Sequence, residues 1–126
     1  MTERIRRVLL KHARVNSTIT YSDLNQKCEL GLNFELGQDR DYIGELLGEI
    51  SEYEHSKGRP LLSAMVLHKS KDLDQGDGFY KLCERLGFGN AYELKADRRF
   101  EKLQRDKVYE FWNDESNFNK YKDDYA

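Results

Sequence analysis

In the first fourteen residues Ile5, Val8, Leu9, His12 and Ala13 recur at the three- and four-residue steps of a helix, and Arg4, Arg7, Lys11 and Arg14 run along another face. The spacing predicts an amphipathic first helix with a basic stripe. Thr18-Ile19-Thr20 has the branched side chains of a very short strand. Thr20, with Asp23 three residues on, predicts the capped start of a second helix over Tyr21 to Cys28. Gly31 and Gly37 bound a loop, and from Asp39 a long helix follows, its apolar stripe made by Ile43, Leu46, Leu47, Ile50 and Tyr53. Gly44 and Gly48, four residues apart, would let another element approach its backbone closely. The far face carries Asp41, Glu45, Glu49 and Glu52, joined by Glu54. Lys57-Gly58-Arg59-Pro60 ends the helix, because glycine suits a left-handed cap and the residue before proline avoids the helical region.

Leu61 to Leu67 is an unbroken apolar run of strand length. Lys69 to Gly78 is polar and glycine-rich, which predicts a hairpin connection, with the return segment starting at Gly78-Phe79-Tyr80. Phe79, Leu82, Cys83 and Leu86 restore a helical period that Gly87 or Gly89 closes. A last long helix is expected from Asp97, its N-cap, to Trp112, since Phe100, Leu103, Val108, Phe111 and Trp112 share one side. The expected organisation is a single domain over residues 1–112 and a C-terminal tail over 113–126 that docks or frays.

Composition changes this picture little. With 126 residues, 38% hydrophobic and 35% charged, the chain has the length and balance of one globular domain. Its 15 aromatic residues and single proline exclude a low-complexity segment. No apolar run is long enough for a membrane span, and the charged start lacks the core of a secretory signal. Two lone cysteines, Cys28 and Cys83, fit a reducing compartment, so a cytoplasmic location and no membrane partner are expected.

Charge matters more, because a net charge of −2 conceals segments of opposite sign. Residues 1–14 hold five bases and one acid, whereas residues 29–60 hold three bases and eight acids. Residues 82–107 are mildly basic and residues 108–126 acidic. Such a chain has local faces for charged partners but not the uniformly basic footprint of a dedicated nucleic-acid binder.

The order helix, short strand, helix, loop, long helix, apolar strand, hairpin describes an α+β, helix-rich winged-helix module with a small β-hairpin and added C-terminal helices. Within residues 5–86, Ile19-Thr-Tyr-Ser-Asp-Leu24, Arg40-x-x-Ile43-Gly44-x-x-Leu47, Arg59-Pro60-Leu-Leu-Ser63 and Gly76-Asp-Gly-Phe79 resemble the DNA-binding half of alkylguanine-DNA alkyltransferases and alkyltransferase-like proteins. The resemblance implies a winged helix with the long helix in the recognition position. The family's acceptor strand reads Pro-Cys-His-Arg, and here it reads Pro60-Leu-Leu-Ser-Ala-Met-Val-Leu, without the cysteine that accepts the alkyl group. The Arg-Pro-Leu-Leu-Ser and Gly-x-Gly-Phe signatures also resemble a small group of uncharacterised bacterial proteins.

Two binding chemistries follow. Arg4, Arg7, Lys11 and Arg14, with Lys69 and Lys71 on the wing, make a candidate phosphate-contacting face for nucleic acid. Asp41, Glu45, Glu49 and Glu52 make a candidate face for a basic protein partner, as in an adaptor, inhibitor or immunity protein. Each charged face also has the plainer reading of a solvated helix surface. A third, weaker candidate is a small-ligand pocket near Tyr21, Arg59 and Asp77. No metal site is expected: His12, His55 and His68 lack ligand partners at zinc spacings, and Asp72 to Cys83 departs from a calcium loop at its glycine and its bidentate acid. No catalytic constellation and no cofactor motif is found, so the chain reads as a non-enzymatic binding module.

Overall fold

Helix α1 (Thr2–Ala13) turns Ile5, Leu9, Leu10 and Ala13 inward, and around it the computed structural model builds one core from residues 1–68 and 77–125, the residues it describes. Strand β1 (Ile19–Thr20) leads directly into α2 (Tyr21–Lys27), whose first turn is closed by the Thr20 hydroxyl accepting from the Asp23 amide at 3.1 Å. Helix α3 (Gly37–Ser56) is the longest element and buries Ile43, Leu46, Leu47 and Ile50. The chain reverses at Gly58, whose φ of +74° is the left-handed conformation the sequence expects at that cap.

The apolar run after Pro60 departs from the expected strand. Leu62–Met65 is a 3₁₀ turn, and the strand, β2 (Val66–Leu67), has two residues. Every side chain from Leu61 to Leu67 is buried, so no alternation selects a pleated strand; the segment is enclosed by α1, α3 and α6. The Ser51 hydroxyl pins it, donating to the Ser63 hydroxyl at 2.8 Å and accepting from the Ser63 amide at 3.1 Å. Strand β2 pairs with β1 in parallel, Ile19 opposite Val66 and Thr20 opposite Leu67. A parallel pair needs a long crossover, which α2 and α3 supply, and it takes the place of the expected hairpin among the described residues. The hairpin connection itself, residues 69–76, lies outside them.

The helical period expected from Phe79 to Leu86 is helix α4 (Asp77–Arg85), which starts where the hairpin's return segment was expected, buries Phe79, Tyr80, Leu82 and Cys83 and closes at Gly87. Helix α5 (Ala91–Ala96) is capped by the Asn90 side chain, and α6 (Arg98–Asn113) by Asp97, as its sequence predicts. Val108 and Trp112 carry α6 into the core; burying a side chain of that size contributes about 1.5–3 kcal/mol. The segment after Asn113 docks: Asp114 caps α7 (Glu115–Tyr121), which packs on α6.

Two buried arginines hold that tail. Arg6 donates to Glu54 Oε1 at 2.7 Å, to the Lys122 carbonyl at 2.6 Å and to the Tyr121 carbonyl at 3.0 Å. Arg59 donates to the other Glu54 oxygen, to Asp124 Oδ2 at 2.7 Å and to the Asp124 carbonyl at 3.0 Å. Glu54 is therefore not part of the exposed acidic face, as its place in the charge pattern suggests, but is fully buried between two guanidinium groups.

Candidate functional site

A groove of about 1000 Å³ runs along α3 between the start of α2 and α4. Its floor comes from α3: Ile43 and Leu47 belong to the core-facing stripe, and Gly44 and Gly48 sit beside them. The close approach expected at these glycines is not made among the described residues. A Cβ at Gly44 would meet nothing within 4 Å, and one at Gly48 would meet just the Arg85 guanidinium at 4.0 Å. At one end stands Tyr21, its ring 4.8 Å from that of His68 and its hydroxyl pushed up to about 12 by burial.

The predicted partner face borders this groove: Asp41, Glu45, Glu49 and Glu52 are all exposed and all line it. Glu52 is answered by Arg85 at 2.9 Å. Asp41, Glu45 and Glu49, successive i, i+4 positions on one line of the helix, have no ion-pair partner among the described residues. Like charges at that spacing repel and weaken a helix slightly. The cations nearby are occupied elsewhere in part, since Arg40 donates to the Phe34 carbonyl at 2.6 Å. Asp77, at the far wall, pairs with Lys95 at 2.6 Å, and that hydrogen bond holds its carboxyl below the usual range.

The predicted basic stripe is divided. Arg4 donates to the Cys28 carbonyl at 2.8 Å. Arg14 donates to the Trp112 carbonyl at 3.0 Å and lies over the Phe118 ring at 4.5 Å. These two arginines are tied to the fold, whereas Arg7 and Lys11 are exposed without a partner among the described residues. Lys69 and Lys71 lie outside the described residues. Of the third candidate, Tyr21 and Asp77 line the groove, but Arg59 is buried in the tail network and lines a separate cleft.

The histidines sit apart: His12 contacts Ser17 and Lys27, His55 lies against Phe88 and His68 against Tyr21. No group of three histidine, cysteine or carboxylate side chains able to hold a metal occurs among the described residues. Cys28 and Cys83 are buried, and burial raises both thiols, Cys83 to about 12, so neither supplies a thiolate at neutral pH. No helix among the described residues is long and apolar enough to cross a membrane.

Two features escape a reading of the charge pattern. Glu54 falls four residues after Ile50 and seven after Leu47, on the buried row of α3, and that spacing is the signal of its burial. Gln104 likewise falls in a row of four-residue steps with Phe100, Val108 and Trp112, and it is buried as Val108 and Trp112 are. Compared with known proteins, the chain matches no family model, no curated protein and no solved structure.

Proposed function

We propose that this protein is a non-enzymatic binding module whose groove along α3 takes a basic segment of a partner protein. What carries the reading is the line of Asp41, Glu45 and Glu49, three exposed carboxylates without ion-pair partners among the described residues, set beside backbone that no described residue covers at Gly44 and Gly48. A segment with Lys or Arg at three- to four-residue spacing would relieve the repulsion along the helix while its backbone approached the glycines. The order α1, β1, α2, α3, β2 supports a winged-helix-like scaffold, one that serves protein contacts as well as DNA. With α3 in the recognition position, its carboxylates would face phosphates, which argues against a duplex there.

Nucleic acid is the second reading, favoured by Arg7 and Lys11, which stand exposed one turn apart on α1. Both readings meet in one experiment: fluorescence anisotropy of a labelled amphipathic Arg/Lys-rich peptide and of labelled duplex DNA, at about 50 and 200 mM salt. The peptide is expected to bind, and Glu45→Lys with Glu49→Lys to weaken it at least tenfold without changing the unfolding midpoint. Peptide binding unaffected by that charge reversal would remove the groove as its site. Steeply salt-dependent DNA binding lost on Arg7→Ala with Lys11→Ala would replace this reading by the second.

A further inference from the structure

A second cleft of about 510 Å³, sharing no lining residue with the acidic groove, lies between the turn after α3, Phe88 before α5, and α6. Gln104 lines it, and this side chain is unusual: the residue is 5% exposed, yet its carboxamide has no hydrogen-bond partner among the described residues. The residue is nine-tenths buried and lines the cleft, so its amide donor and acceptor are groups that the described residues leave unused. The walls beside it are flat and aromatic. Phe88 stands with its ring 5.4 Å from that of His55, and Phe111, two turns along α6 from Gln104, closes the other side. Arg59 also lines the cleft, its guanidinium held by Glu54 and Asp124.

A carboxamide presents a donor and an acceptor side by side in one plane, and it pairs in bidentate fashion with a ligand edge that does the same. Aromatic walls select a ligand with a π face, and the volume suits a small molecule. We propose that this cleft is a binding site for a purine base of the adenine type, its exocyclic amino group and adjacent ring nitrogen paired with Gln104 and its face against Phe88 and Phe111. The base can be free, as a nucleoside, or unstacked from a single strand; the chemistry at Gln104 is the same.

The test is a ¹H–¹⁵N NMR titration of the full chain with adenosine, with purine riboside, which lacks the exocyclic amino group, and with a six-residue single-stranded oligoadenylate. Adenosine, the oligonucleotide or both are expected to shift the Gln104 side-chain amide and the backbone amides of Phe88 and Phe111, the stronger of the two identifying the source of the base. Purine riboside is expected to bind at least fivefold more weakly than adenosine. Gln104→Leu, close in size and apolar, is expected to weaken binding at least tenfold while its melting temperature holds or rises, the opposite of what a structural glutamine would do. Absence of shifts at millimolar ligand, equal binding of purine riboside, or unchanged affinity in Gln104→Leu would each overturn the proposal.

Discussion

At Glu54 one carboxylate with no solvent exposure answers Arg6 and Arg59 together. Desolvating three charged groups is repaid when every donor is met, and here the arginines' remaining donors find Lys122, Tyr121 and Asp124. Removing the shared carboxylate strands two buried cations. Glu54→Gln is therefore expected to lower stability by about 3–5 kcal/mol in urea denaturation, with an unchanged denaturant slope. A loss below about 1 kcal/mol would mean that the cluster behaves as an exposed ion pair does.

Helix α3 has two faces with different tasks. Its inner row, from Ile43 to Ile50, belongs to the core, while Gly44 and the carboxylates stand in the open groove. An exposed glycine inside a helix costs about 0.5–1 kcal/mol relative to alanine, and the space at Gly44 would admit a Cβ without contact. Gly44→Ala is thus expected to raise the unfolding free energy by that amount, about 0.5–1 kcal/mol, measured by guanidinium denaturation. If the groove takes a partner's backbone closely, the larger Gly44→Leu should also abolish binding of the basic peptide. A stable Gly44→Leu that binds as before would show that the notch is not approached.

Over the molecule as a whole, the two chain ends are locked together: α1 and the turn after α3 each contribute an arginine, and residues 121–124 supply the acceptors. Asp124 is the titrating member. The Arg59 hydrogen bond, and then that of Tyr53, hold its carboxyl below the usual carboxylate range. Because the folded value is the lower one, the contribution is present above the unfolded value of about 4 and is lost as pH falls through the folded value. The amide of Tyr125 is accordingly expected to show an acid transition below about pH 4 by NMR, reporting release of the tail. Asp124→Asn should remove that transition, and a transition that persists in the variant would assign it to another carboxyl.

Period and caps made much of the fold legible. The helical spacing of Ile5 to Ala13 and of Ile43 to Ile50, the Thr20 and Asp97 caps and the stop at Gly58-Pro60 all stand where the sequence places them, because each is fixed by contacts within a few residues. The exposed acids of α3 were legible for the same reason, since one helical turn decides which side chains share a face. Helices α5 and α7 are too short to show a period and are announced by their caps, Asn90 and Asp114, alone. What depended on distant chain was not legible. The run from Leu61 to Leu67 is as apolar as a strand, and enclosure by three helices turned it into a 3₁₀ segment and a two-residue parallel ribbon. Arg4 and Arg7 look alike in sequence, and which one a carbonyl holds is set by the end of α2. Local physics thus determined where helices begin, end and turn their apolar sides; packing between elements far apart in the chain decided which charges were buried, which were tied down and which were left exposed.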